Sequence, residues 1–156
     1  MKKNAVLKEN LKCVAEVKMT YRRNTEIEQQ NIRLSRDVFD MARRIYDAGT
    51  IEYREQAWVL LLNTAGKVNG YFKAADGGID SAVVDIRLVL QAALLTNSIA
   101  MVLIHNHPSG NSKPSGSDDT LTANLNKACQ AMSMQLLDHV VITSEDYYSY
   151  ADNGRL

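Results

Sequence analysis

Two of only three histidines in the chain, His105 and His107, are separated by a single residue, and Asp118 lies one loop further on. Imidazoles and carboxylates are the ligands that zinc takes at about 2.0–2.2 Å, so the chemistry depends on whether the backbone brings these three together. Residues 99–104 (I-A-M-V-L-I) form an unbroken apolar run of the length of a strand buried on both faces. The histidines therefore stand at the C-terminal end of that strand. On a strand, residues i and i+2 share a face with α-carbons about 6.5 Å apart, which lets both rings converge on one ion. Pro108, with no amide hydrogen to donate, ends the pairing.

The next residues, S-G-N-S-K-P-S-G-S, are turn-formers and predict a loop that Gly110 and Pro114 restrict. From Asp118 a helical pattern resumes, with Leu121, Leu125, Ala128 and Met132 on one stripe. Ser117 is the expected N-cap, placing Asp118 at the first helical position, where the helix dipole favours a carboxylate. A strand-end histidine pair facing a helix-start aspartate is a three-ligand site with an open fourth position, the catalytic rather than the structural zinc pattern. Asp119 is an alternative ligand if the loop shifts by one residue, and Asp119 and Asp138 are candidate acceptors that would orient the ligand histidines. Asn106 should point to the opposite face in a structural role. His139, inside L-L-D-H-V-V-I, reads as a core residue rather than a third imidazole ligand.

His105, His107, Ser115 and Asp118 fit, without a gap, the H-x-H, seven residues, Ser, two residues, Asp pattern of the JAMM (JAB/MPN) metal-dependent proteases, which the chain resembles. The H-N-H-P-S-G wording and the later L-L-D-H-V-V-I-T resemble the RadC branch, whose bacterial members carry an old DNA-repair label. The resemblance covers roughly residues 52–156. It implies a three-layer, deaminase-like α/β sandwich, one Zn2+ per chain, and a glutamate on an upstream strand as general base. Glu55 heads the apolar strand around Trp58 and takes that role, with Glu52 as runner-up. The resemblance also implies that Ser115 donates a hydrogen bond to the oxyanion; its residue type and place alone would make it a loop or capping serine.

Composition is that of an ordinary globular protein, with 46% hydrophobic and 23% charged residues over 156 positions. Cys13 and Cys129 lie far apart without C-x-x-C spacing, which argues against a disulfide framework or a cysteine zinc site, and both read as reduced, buried side chains. The basic start lacks an apolar segment after it and no run reaches the length of a membrane helix, so the expectation is a cytoplasmic protein without a membrane partner. Residues 1–54 hold 12 Lys/Arg against 8 Asp/Glu (+4), and residues 55–156 hold 6 against 10 (−4).

Residues 11–20 alternate as an edge strand, 21–34 read as an extended linker, and Ser35 can cap a helix over 36–48 that Gly49 stops. Val38, Met41, Ala42, Ile45 and Tyr46 share one face of that helix, while the Arg43–Arg44 pair reads as solvated. A hairpin follows, with strands at 56–63 and 68–74 around Gly66. A helix over 84–96 with Leu88, Ala92 and Leu95 as its buried stripe leads into the histidine strand, and strands at 136–143 and 147–150 close the chain. Two helix–strand pairs in succession predict an α/β sandwich with a mixed sheet, which agrees with the three-layer α-β-α arrangement that the resemblance implies. Residues 1–50 are expected to pack as strand, linker and helix on a metal-binding domain at 51–156.

The function these readings imply is a zinc-dependent hydrolase acting on a peptide or isopeptide bond of a protein or peptide substrate, with a protein partner in some settings. The alternative is a DNA-repair or mobile-element accessory protein that keeps the metal as a fold element. Neutral net charge and the lack of a helix-hairpin-helix pattern in the first 50 residues speak against direct DNA binding. A nucleobase deaminase would need H-x-E and a later P-C-x-x-C, and neither is present. Oligomeric state is not legible in the sequence.

Overall fold

The structure, a computed structural model, describes residues 30–79 and 81–156. The strand expected at 11–20, Cys13 and most of the 21–34 linker lie outside the described residues. The remaining elements run α1 (Ser35–Ile45), β1 (Gln56–Leu62), β2 (Val68–Asp76), α2 (Ile86–Leu95), β3 (Ala100–Asn106), α3 (Gly116–Ala131), β4 (Gln135–Ile142) and β5 (Tyr147–Ser149).

The five strands form one mixed sheet in the order β2-β1-β3-β4-β5. Only β3 and β4 pair in parallel, joined by the α3 crossover; the other neighbours are antiparallel. Period-two alternation divides the side chains between two layers. Leu60, Leu62, Val102, Ile104, Val140 and Ile142 pack under α1 through Val38, Phe39, Ala42 and Tyr46. Val59, Leu61, Met101 and Leu103 meet Val89 and Ala93 of α2, and Leu125 and Cys129 of α3, on the other face. This is the expected three-layer sandwich. It also decides the site, because His105 has the parity of Met101 and Leu103 and so faces α3.

Several local expectations are corrected. The α1 helix ends at Ile45 rather than near Ala48, because Tyr46 turns to extended backbone (φ −74°, ψ 134°) and buries its ring. Its start is held by the Asp37 carboxylate, which accepts the backbone N–H groups of Arg33 and Leu34, and not by Ser35. In α2 the buried stripe is Val89 and Ala93, with Leu88 and Leu95 turned outward. In α3, Met132 is exposed and Cys129 takes the buried place. Arg43 and Arg44 are exposed, as expected. Among the described residues no helix is long and apolar enough to cross a membrane.

Candidate metal centre

His105 is the next-to-last residue of β3, paired with Ala57 on one side and Val141 on the other. His107 lies just past the strand, where its N–H still bonds the Ile142 carbonyl (2.9 Å), so the sheet fixes both imidazole-bearing residues. Between them Asn106 points through to the α1 side. Its Oδ1 accepts the Gln56 N–H (2.7 Å) and its Nδ2 donates to the carbonyls of Ile51 (2.7 Å) and Arg54 (2.9 Å).

Those bonds clamp the chain around Glu55. The Glu55 N–H donates to Gly78 O (2.8 Å) and its carbonyl accepts from Gly77 N–H (2.9 Å). Position 77 must be glycine, since a Cβ there would stand 2.1 Å from the Ser81 carbonyl oxygen. Glu55 is thereby carried into the site with 8% of its surface exposed. Glu52, the runner-up, is exposed and outside the cluster.

Asp118 arrives from α3. Ser115, not Ser117, is the N-cap, and Asp118 is the third residue of the helix rather than the first. Ser115 Oγ accepts the Asp118 N–H (3.2 Å) and donates to Asp118 Oδ2 (2.7 Å), while Asp118 Oδ2 also accepts the Ser115 N–H (2.7 Å). This reciprocal cap locks the carboxylate toward the histidines.

Candidate ligand atoms of Glu55, His105, His107 and Asp118 all lie within 4.8 Å of one another. His105 Nε2 and His107 Nε2 are 2.9 Å apart. Asp118 Oδ1 is 3.2 Å from the first and Oδ2 3.5 Å from the second. Atoms bound tetrahedrally at about 2.0–2.1 Å from one zinc ion stand about 3.3–3.4 Å apart; the two Asp118 distances bracket that spacing, and the histidine nitrogens would part by a few tenths of an ångström to reach it. The donor set fits too. His107 Nδ1 faces the Asn111 carbonyl at 2.8 Å and must carry the proton, leaving its Nε2 lone pair toward His105. Glu55 Oε1, 3.9 Å from His105 Nε2, stands further back on the open side.

A family model described as a RadC-like JAB domain matches residues 32–155. The chain belongs to the RadC-like JAB domain family. UPF0758 proteins from Flavobacterium johnsoniae (34% identical), Chlorobium phaeovibrioides (34%) and Porphyromonas gingivalis (38%) are similar over 90%, 89% and 66% of the chain. These stretches make up 61%, 60% and 46% of the relatives, so the chain spans about three fifths or less of their length.

Charge in this RadC-like JAB domain follows the geometry. Burial opposes ionisation of Asp118, yet the nearby His105 and His107 imidazoles, when protonated, and the Ser115 hydroxyl outweigh it and hold the carboxyl well below the usual range. The Asp118 carboxylate, which would accept from the protonated ring, favours the imidazolium and raises His107 above its ordinary 6.5. An open cleft of about 1010 Å³ runs past the cluster, with Glu55, His107, Ser115 and Asp118 on its floor and Ile79, Val83 and Leu121 among its walls.

Two second-layer expectations fail. Asp138 has the parity of Val140 and turns to Ser149 Oγ (2.6 Å) and Ala151 N (3.0 Å). Asp119 accepts from the Tyr150 hydroxyl (2.7 Å) and pairs with Arg155 (2.7 Å). Neither touches a ligand histidine. The residue that does is His139: its Nε2 is 2.8 Å from His105 Nδ1 and its Nδ1 is 2.6 Å from Thr122 Oγ1. Its burial was expected, but this contact was not, because it follows from strand pairing: β4 is parallel to β3, and His139 pairs with Leu103, two residues from His105.

Proposed function

We propose that this chain is a zinc-dependent metallohydrolase of the JAMM type, which adds water across a peptide or isopeptide bond of a cytoplasmic protein or peptide. The observation that carries the reading is the convergence of two imidazole Nε2 atoms and two carboxylates, of Asp118 and Glu55, within 4.8 Å of one another. His105, His107 and Asp118 would hold a zinc ion, which would supply a bound water of pKa about 7 and a Lewis acid for the substrate carbonyl.

The protein's own groups supply the rest. Glu55 accepts a proton from the attacking water at a carboxylate oxygen and returns it to the departing amine, so the products are one carboxylic acid and one amine. Ser115 lines the same cleft, and its hydroxyl donates to the oxygen on which negative charge develops. In this structure the hydroxyl donates to Asp118 Oδ2, so that role requires it to turn. Ile79, Val83 and Leu121 give the cleft an apolar wall against which a substrate side chain can pack.

The test is elemental analysis of the purified chain together with turnover of linear and isopeptide-linked peptides, before and after chelation. One zinc per chain and turnover that chelation abolishes are expected. Turnover that persists in metal-free protein would reject the proposal.

A further inference from the structure

His139 is the buried imidazole that this chemistry leaves without a task. It is fully buried between β3, α3 and the ring of Tyr150, which stacks flat upon it (4.9 Å between centroids, 6° between planes). A buried imidazole with two short contacts has a defined proton on one nitrogen and a defined lone pair on the other. The contacts decide which.

Thr122 Oγ1 donates to the Asp118 backbone carbonyl at 2.6 Å, one helical turn back. With its proton committed there, Thr122 can only accept from His139, so His139 Nδ1 carries the hydrogen. His139 Nε2 is then a lone pair and accepts from His105 Nδ1. His105 is left with its own lone pair on Nε2, the atom that faces His107 and Asp118. In the reversed relay the Thr122 proton would turn to His139, and His105 would present an N–H where a ligand must present a lone pair.

We infer that His139 is a positioning residue, oriented by Thr122, which sets the tautomer of His105 and so makes its Nε2 a metal ligand. The inference rests on the reading of His105 as a zinc ligand and adds the device that makes it one. His139 itself touches neither metal nor substrate. A carboxylate or backbone carbonyl commonly takes this place behind a ligand histidine, and losing such a partner costs about 10–100-fold in metal affinity.

Histidine-labelled protein gives a direct test, since the chain holds only three histidines. Long-range ¹⁵N spectra of the metal-free protein at about pH 8 should show His105 protonated on Nδ1, and His139 on Nδ1 as well. Zinc titration should show His139→Leu weakened by about 10–100-fold. His139→Gln, whose amide oxygen can accept at the same place, should stay within a few-fold of the natural chain. Thr122→Val leaves His139 in position but frees the relay to reverse, so its metal-free spectrum should gain His105 protonated on Nε2 and its zinc binding should weaken. Melting curves on the same preparations identify any variant that has lost the fold. A natural chain with His105 protonated on Nε2, or a folded His139→Leu variant that binds zinc unchanged, overturns the inference. Neither readout uses hydrolysis, so a chain that shows these effects without turnover would keep the inference and lose the proposed function.

Discussion

Asn106 and Gln56 are joined across two strands by a 2.7 Å bond from the Gln56 backbone N–H to Asn106 Oδ1, on the face of the sheet opposite the histidines. The same side chain holds the carbonyls of Ile51 and Arg54, so a residue flanked by two candidate ligands fixes the segment that presents Glu55. Replacing Asn106 by Ala orphans one buried donor and up to two carbonyls. The variant should lose about 2–4 kcal/mol in chemical denaturation. It should keep its zinc, and retained stability would show that Glu55 is held by the glycine turn alone.

Zinc should be bound by His105, His107 and Asp118, and lost from the His105→Ala, His107→Ala double variant. Only neutral imidazole binds, and the Asp118 bond raises His107 above 6.5, so protons compete with the metal from a higher pH than for a free histidine. Apparent affinity should be greatest near pH 8 and fall as pH drops through the raised value. Competition titrations across that range check both statements.

Glu55→Gln should leave zinc content and melting temperature near those of the natural chain, while turnover falls by about 10²–10⁴-fold. Loss of zinc in this variant would make Glu55 a fourth ligand, as its place in the cluster allows.

For Ser115 the observed cap and the proposed oxyanion contact predict different losses. A cap alone gives Ser115→Ala a cost of about 1 kcal/mol with turnover nearly unchanged. A hydroxyl that also meets the oxyanion adds a fall in turnover of about 10²–10³-fold. Melting temperature, zinc content and turnover of one preparation separate them, and the larger fall is expected.

DNA binding should be weak and strongly salt-dependent, because the local excess in residues 1–54 is only four positive charges. A sub-micromolar dissociation constant for duplex DNA at about 150 mM salt would favour the accessory-protein reading instead.

The histidine pair and the sandwich were legible because strand parity and loop punctuation are local properties. The cap was misplaced by two residues because S-G-S offers two equivalent serines, and only the reciprocal bond to Asp118 selects Ser115. The buried face of α2 was misread because I-R-L-V-L-Q-A-A-L-L is apolar nearly all round, which leaves several stripes of similar strength; the sheet chose Val89 and Ala93. Phe39 is buried along with the expected face of α1, and the ring it stacks on, Tyr147, lies far away in the chain. The contact of His139 with His105 depends on which strands are neighbours, a fact of topology that no window of residues contains.

On α3, Asp118, Thr122, Leu125 and Cys129 form one continuous buried stripe. A candidate ligand, the hydroxyl beside His139 and two core side chains thus share a single rigid edge. Grafting this centre onto another scaffold would therefore mean transplanting the helix with its packing, because a loop carrying only Ser115 and Asp118 would bring the ligand without its bearing. Repacking at Leu125, about two turns from Asp118, should be inherited by the metal centre as a change in angle, so a designer could tune the site from inside the core without touching any ligand.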